Sequence, residues 1–153
     1  MEYLPEGGAL LDVGCGTGMI ATHVELHSDA RCLGLDINPG AIARARSLGG
    51  ADFVVSDLYD VLPGYAGFDI ITITVPWEPE QNYPEGAEPR DAYVDDDMVM
   101  ARALVGAHDY LNPGGHIIVF GFRGMDPILN MAGWQVLERL GDEEGNAVFV
   151  CHA

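Results

Sequence analysis

The chain consists of short apolar runs separated by longer stretches in which apolar and polar residues mix. The run at residues 68–75 has the pattern most typical of a buried strand, and Ala9-Leu10-Leu11 with Val13 is the first apolar run. Short apolar runs bounded by Gly, Pro or Asn predict buried strands, and longer mixed stretches predict helices. Strands are predicted at residues 9–13, 31–36, 51–55, 68–75, 116–120, 134–140 and 147–152. Helices are predicted at residues 19–26, 39–48, 91–111 and 126–131.

The alternation of strands and helices predicts an α/β fold, with a doubly wound sheet, helices on both faces and right-handed crossovers. At 153 residues the chain has room for one core, so residues 1–153 are interpreted as a single domain. Asn38-Pro39 and Gly49-Gly50 predict the two ends of the second helix, and Asn112-Pro113-Gly114-Gly115 predicts a turn. The long segment 76–89, rich in Pro and Glu, predicts a functional loop.

Three alternating glycines follow the first strand and indicate a ligand-binding turn. Gly14, Gly16 and Gly18 let the backbone approach a ligand closely, and the helix after them directs its N-terminus at the same place. Asp36 ends the next strand, where a carboxylate can bind ribose hydroxyls. This layout predicts a nucleoside-binding βαβ unit; the alternative is a turn that only connects a strand to a helix.

Three further features decide between the nucleosides that such a unit binds. Residues 16–21 match G-x-G-x-x-A, so a dinucleotide such as NAD is one alternative. Asp12 lies before the first glycine, where it can order the loop or reach a ligand ammonium. Asp57 follows the third strand, well placed for an adenine amino group, and Thr74-Val75-Pro76-Trp77 ends the fourth strand. With these features the chain resembles the class I S-adenosylmethionine (SAM)-dependent methyltransferases, from Leu10 to about Val150.

The resemblance implies a fold, a cofactor and a set of binding residues. The fold is a three-layer, Rossmann-like sheet of seven strands in the order 3-2-1-4-5-7-6, with the last pair antiparallel. The cofactor is SAM, and the product is S-adenosylhomocysteine (SAH). The cofactor-binding residues that the resemblance implies are Asp12, Gly14, Cys15, Gly16, Thr17, Gly18, Asp36, Ile37, Asp57, Leu58 and Thr74.

Within this family the motif frame is most similar to the release-factor glutamine N5-methyltransferases. Those enzymes follow the fourth strand with Asn-Pro-Pro-Tyr, where this chain has Thr74-Val75-Pro76-Trp77. Glu78-Pro79-Glu80, Glu88-Pro89-Arg90 and Pro113-Gly114-Gly115 keep the frame. Thr74 offers a hydroxyl in place of an amide, the Val75 carbonyl can accept a proton from an amino group, and Trp77 can stack on a planar acceptor. Methyl transfer to nitrogen is therefore favoured over oxygen, on a small molecule or an exposed peptide group.

Composition narrows the classes of partner. The chain carries 24 acidic residues against 7 basic ones, all Arg, for a formal net charge of −17. Such a charge repels phosphates and argues against direct binding of nucleic acid; it reflects either an acidic proteome or cationic partners. Three cysteines without metal-ligand spacing predict free thiols, no metal site and a reducing, cytoplasmic location. No apolar run approaches the length of a membrane span.

Two expectations concern assembly and activity. Only eight residues precede the first strand, so a homodimer, a partner subunit or a short lid is expected to help bind the substrate. The altered motif leaves a second hypothesis open: a protein of this fold that binds SAM without methylating, either as a regulatory subunit or as a cyclase or lyase. Trp77 packing against the core, and glutamates of segment 76–89 attracting a cationic substrate, are further alternatives.

Overall fold

The computed structural model describes residues 3–62, 64, 67–74, 97–122, 124–142 and 145–153. Seven strands and four helices lie within these ranges, and they follow the predicted alternation. The elements are β1 (Ala9–Val13), α1 (Met19–His27), β2 (Arg31–Asp36), α2 (Pro39–Leu48), β3 (Asp52–Val55), β4 (Phe68–Ile73), α3 (Asp97–Ala107), β5 (Leu111–Phe122), α4 (Asp126–Met131), β6 (Gln135–Gly141) and β7 (Asn146–His152).

The strands form one sheet in the order β3-β2-β1-β4-β5-β7-β6. β1 to β5 pair in parallel, whereas β7 is antiparallel to both β5 and β6. The order and the antiparallel last pair that the resemblance implied are therefore confirmed. In such a sheet, ligands bind beyond the carboxyl ends of the parallel strands, near the point where the strand order reverses. Here that point lies between β1 and β4.

Alternate residues of the central strands face two separate layers of core. Leu11 and Ile71 face the side covered by α3 and α4, whereas Leu10 and Ile70 face the side covered by α1 and α2. This period of two gives each strand two buried faces, which explains why β1 and β4 read as continuous apolar runs. Trp134 is a core residue: it is 1% exposed and donates from Nε1 to the Leu104 carbonyl at 3.0 Å.

The ends of α2 follow the sequence signals closely. Asn38 Oδ1 accepts hydrogen bonds from the backbone N–H groups of Gly40 (2.8 Å) and Ala41 (3.2 Å), and Pro39 is the first helical residue. Gly49 ends the helix with φ 75°, a conformation that costs glycine little. An Asn cap contributes about 1 kcal/mol to helix stability.

The fifth strand differs from its prediction. Asn112-Pro113-Gly114-Gly115, predicted as a turn, lies inside β5, because Phe68 pairs with Leu111 and Ile70 with His116. The extra residues bulge opposite Asp69, whose Oδ1 accepts a hydrogen bond from Asn112 Nδ2 at 2.8 Å. Gly114 takes φ 80°, so the Pro-Gly-Gly signal marks a bulge rather than the end of an element.

Two other predicted boundaries shift. The predicted helix 91–111 is observed as α3 from Asp97 to Ala107, followed by turns at residues 108–110; residues 91–96 lie outside the described ranges. β4 ends at Ile73, before the predicted end at Val75. In the described part of the chain, no helix is long and apolar enough to cross a membrane. Cys15, Cys32 and Cys151 are buried free thiols, as predicted.

Candidate functional site

The carboxyl ends of β1, β2 and β4 bring the predicted site residues to one edge of the sheet. Val13 pairs with Leu35 on one side and with Ile73 on the other. The backbone N–H groups of Gly14 and Cys15 both donate to the Leu35 carbonyl, at 2.8 and 2.9 Å. The N–H of Thr74 donates to the Val13 carbonyl at 2.9 Å. The glycine turn, the end of β2 and Thr74 are therefore neighbours.

The glycine turn depends on its glycines for two different reasons. Gly14, Gly16 and Gly18 have φ values of 73°, 53° and 81°, which disfavour residues with a side chain. A Cβ on Gly16 would meet no atom within 4 Å, so the turn is open there. A Cβ on Gly18 would lie 2.5 Å from the Phe53 ring and 2.9 Å from the Ala45 Cβ. Gly16 leaves space for a ligand, and Gly18 permits close packing.

Asp36 ties the glycine turn to the start of α2. Its Oδ2 accepts a 2.7 Å hydrogen bond from the Gly16 N–H, and its Oδ1 accepts a 2.8 Å hydrogen bond from the Asn38 N–H. A carboxylate oxygen can accept two hydrogen bonds, so each keeps one acceptor position for a ligand hydroxyl. The side chain is half-buried at the mouth of the turn. Asp36 both orders the turn and retains capacity to bind.

Asp12 is fully buried below the turn. Its Oδ1 accepts a 2.7 Å hydrogen bond from Thr72 Oγ1, whereas its buried Oδ2 accepts no hydrogen bond of ordinary geometry from the described residues. Burial raises the pKa of Asp12 to about 6; the Thr72 hydrogen bond and the Ala21 backbone lower the pKa by less. A buried carboxylate with an unused oxygen suits a cationic group such as an ammonium.

The segment after β3 lies beside Asp36, because the Ser56 N–H donates to the Asp36 carbonyl at 2.9 Å. Asp57 follows, and its Oδ2 forms an ion pair with Arg102 Nη2 of α3 at 3.2 Å. Leu58 has φ 46°, an uncommon value for a branched side chain. Arg102 could not be predicted from the sequence, because it is 45 positions from Asp57 and no motif spacing links the two residues.

The remaining predicted residues have different environments. Ile37 is 50% exposed at the same edge, an apolar surface available to a planar ligand. Thr17 and Thr74 are exposed, whereas Cys15 is buried. Burial raises the pKa of the Cys15 thiol to about 12, so this thiol stays protonated, and only its backbone is available to a ligand.

Part of the predicted acceptor site lies outside the described residues. This holds for Val75 and Trp77, which were expected to orient the acceptor, and for the glutamates of segment 76–89, which were an alternative for attracting a cationic substrate. Thr74 is the predicted acceptor residue whose position is described. Among the described residues, no three His, Cys, Asp or Glu side chains are grouped so that they could hold a metal ion.

The geometry of this edge agrees with the family to which the sequence is assigned. Residues 10–86, half of the chain, match the family described as Methyltransferase domain. The chain belongs to this family. It is a SAM-dependent methyltransferase domain with a Rossmann-like class I fold, and SAM is its cofactor. The dinucleotide alternative therefore does not hold, and the cofactor inferred from the sequence is confirmed.

Solved structures share the fold of this methyltransferase. A TehB-like SAM-dependent methyltransferase from Corynebacterium glutamicum has a TM-score of 0.70 and 20% identity, covering 96% of this chain and 80% of that one. Fibrillarin from Aeropyrum pernix, with natively bound SAM, has a TM-score of 0.67 and 16% identity, over 98% and 68%. The methyltransferase in a Haloferax volcanii complex with the activator Trm112 has a TM-score of 0.71 and 15% identity, over 97% and 83%. No curated protein matches the chain by sequence.

Proposed function

We propose that this methyltransferase, acting as a single domain, transfers the methyl group of SAM to a nitrogen atom of a small molecule or an exposed peptide group. The observation that carries the proposal is the exposed side chain of Thr74, whose backbone is hydrogen-bonded to the end of β1 beside the glycine turn. A hydroxyl at this place can accept a hydrogen bond from an amine or amide N–H and so orient the nitrogen lone pair. Support also comes from the motif frame that resembles the glutamine N5-methyltransferases.

The cofactor is proposed to lie across the ends of β1, β2 and β3. The free acceptor positions of Asp36 bind the two ribose hydroxyls, and the open side of the turn at Gly16 leaves room for the bound cofactor. Asp57 accepts a hydrogen bond from the adenine amino group, while Ile37 and Leu58 pack against the ring. The unused Oδ2 of Asp12 faces the ligand ammonium, which compensates its buried charge.

The protein's part in the reaction is positioning and exclusion of water. Bound SAM would supply a methyl group on a positively charged sulfur: the nitrogen lone pair would attack the methyl carbon in line, the carbon–sulfur bond would break to leave SAH, and the methylated nitrogen would release its proton. Thr74 and the Val75 carbonyl hold the N–H groups of the acceptor, and Trp77 stacks on its planar part. Alignment of this kind supplies most of the rate enhancement when the leaving group needs no activation.

The first test is calorimetric titration of the full chain with SAM and SAH. We expect micromolar binding that is lost in Asp36→Ala and kept in Asp52→Ala, a matched control. Asp52 is exposed at the amino end of β3, away from the proposed site. NAD at millimolar concentration should not compete. Wild-type binding that persists unchanged in Asp36→Ala would contradict the proposed position of the cofactor.

The second test measures transfer of a labelled methyl group to panels of amines, amides and alcohols. We expect labelled methyl groups on nitrogen acceptors. The rate of transfer should fall in Thr74→Ala and be largely restored in Thr74→Ser, which keeps the hydroxyl. Label confined to alcohols, or equal rates in wild type and Thr74→Ala, would contradict the nitrogen assignment.

A second candidate function is cofactor binding without independent methyl transfer. It is favoured by Thr74 standing where the similar enzymes have Asn, and by the Haloferax volcanii neighbour, which is in complex with an activator. In this hypothesis a homodimer contact or a partner subunit completes the acceptor site, or the site serves a cyclase or lyase. Tight SAH binding with no transfer to any acceptor class would favour this candidate over the first.

A further inference from the structure

The segment Asp57-Leu58-Tyr59 is attached to α3 at both of its ends. Asp57 Oδ2 pairs with Arg102 Nη2 at 3.2 Å, and the hydroxyl of Tyr59 donates to the Ala103 carbonyl at 2.7 Å. The two partners in α3 are adjacent in sequence. The short segment that carries the proposed adenine-binding carboxylate is thus held between two contacts to one helix.

The residue between these contacts has a strained backbone. Leu58, at φ 46°, is the one residue other than glycine with positive φ in the described ranges. Such a conformation persists where the surroundings fix the residues on either side. Tyr59 is 7% exposed, and a Cβ on Gly106 would come within 2.7 Å of its ring. Tyr59 therefore anchors one side of the strained residue in the core.

The other side is anchored at the surface. The side chains of Arg102 and Asp57 are 48% and 43% exposed, and an ion pair this exposed adds little to stability. Its effect on geometry is larger, because it restricts the rotamers of Asp57. It uses Oδ2 and leaves Oδ1 without a hydrogen bond from the described residues, so one acceptor oxygen is available beside the strained segment.

We propose that Arg102 is a positioning residue for the purine amino group of the cofactor and acts through Asp57. Arg102 holds the Asp57 carboxylate by Oδ2, so that Oδ1 accepts the N–H of the 6-amino group without first losing rotational freedom. This role rests on the proposed position of the cofactor. Through Arg102, α3 becomes part of the proposed cofactor site. In the sequence, α3 follows the segment that carries Val75 and Trp77.

The test compares two ligands by calorimetry on the full chain. One is SAH; the other is its 6-deamino analogue, in which a hydrogen replaces the purine amino group. We expect Arg102→Ala to bind SAH about two- to fivefold more weakly than wild type, the range for loss of an exposed ion pair. The affinity for the analogue should not change, because the analogue lacks the group that Asp57 binds. Arg102→Lys should restore part of the SAH affinity.

Two controls separate positioning from general damage. Arg139→Ala removes an exposed arginine of β6, at the other end of the strand order from β3, which pairs with Asp126; it should leave both affinities unchanged. In an Asp57→Asn background, the effect of Arg102→Ala on SAH should largely disappear, because the neutral amide does not form the ion pair. Thermal unfolding of every variant checks that the fold is kept.

The outcomes discriminate between this role and the proposed function. If wild type binds SAH, the inference is overturned by an unchanged SAH affinity in Arg102→Ala. It is also overturned if Arg102→Ala weakens the binding of SAH and of the analogue equally. The same holds if Arg102→Ala weakens SAH binding in the Asp57→Asn background as much as it does in wild type. If wild type binds neither ligand, the proposed cofactor site itself fails, and the role of Arg102 fails with it.

Discussion

Thr72 Oγ1 donates a 2.7 Å hydrogen bond to Asp12 Oδ1 across the paired strands β4 and β1, where the two residues are direct neighbours in register. Both side chains are buried, at 3% and 0% exposure. A carboxylate with one neutral partner and one unused oxygen is expensive to ionise in a core, which explains its raised pKa. The central sheet thus contains a carboxyl group whose neutral form is stabilised by burial, directly below the glycine turn.

The first prediction concerns the pH dependence of stability. The folded pKa of about 6 lies above the ordinary value of 3.8, so the folded state holds the proton more tightly. The stabilisation that the folded state gains from binding the Asp12 proton is therefore fully present below about pH 4, and it is lost as the pH rises through 6. The difference corresponds to about 3 kcal/mol. We expect Asp12→Asn to be more stable than wild type by about 1–3 kcal/mol at pH 8, with the gain shrinking towards pH 4.

Urea unfolding at pH 4, 5, 6 and 8 measures this difference, with Asp52→Asn as an exposed control that should track wild type. A stability difference between Asp12→Asn and wild type that is the same at every pH would show that Asp12 does not titrate in this range.

The second prediction concerns binding of the cofactor product. If the ammonium of SAH pairs with ionised Asp12, affinity requires the proton to leave, and it should fall as the pH drops through about 6. We expect roughly a tenfold weaker affinity at pH 5 than at pH 7 for wild type. Asp12→Asn should bind weakly at both values. Calorimetry in buffers of different ionisation enthalpy would also detect the proton released on binding near pH 6; a flat profile would contradict the pairing.

The fold was predictable where local chemistry and long-range packing agree. Asn38-Pro39 and Gly49 determine α2 almost alone, since capping is a property of a few adjacent residues. The position of Asp36 beside the glycine turn was predictable, because one helix, one turn and one strand separate it from the glycines. The strand order itself came from the resemblance, because periodicity says nothing about which strands are neighbours.

The rest depends on contacts between distant residues, which spacing does not encode. Arg102 meets Asp57, and Phe53 fills the space above both Gly18 and Gly34, only after the sheet has formed. The bulge at residues 112–115 was misinterpreted for a similar reason. Pro-Gly-Gly indicates a change of chain direction, but whether that change ends a strand or bends it is decided by Asp69 on the neighbouring strand.

The third prediction separates the two roles of the glycines. Gly18→Ala should lower the free energy of unfolding by about 2–4 kcal/mol, since its Cβ meets the Phe53 ring and φ stays at 81°. Gly16→Ala should lower the free energy of unfolding by only about 1–2 kcal/mol, because the space around Gly16 is open. It should nevertheless weaken SAH binding by roughly tenfold or more, because the added Cβ fills the proposed ligand position. Urea unfolding and calorimetry measure the two effects, and SAH binding unchanged in Gly16→Ala would contradict the proposed position.

The last prediction concerns the opposite edge of the sheet, where Asp69 joins three strands. Its Oδ2 accepts a hydrogen bond from the Ala9 N–H at 2.9 Å, and its Oδ1 accepts one from Asn112 Nδ2 at 2.8 Å.

Asp69→Ala would leave the N–H of Ala9 without this acceptor, and hydrogen bonds to charged groups contribute about 1.5–3 kcal/mol. We expect Asp69→Ala to lower the free energy of unfolding by about 2–4 kcal/mol, against less than about 0.5 kcal/mol for the exposed control Asp52→Ala. SAH affinity measured by calorimetry well below the unfolding temperature should stay at the wild-type value, because Asp69 lies at the amino end of β4 and the proposed cofactor residues lie at the carboxyl end. Loss of affinity in a folded Asp69→Ala variant would show that the two edges of the sheet are energetically coupled.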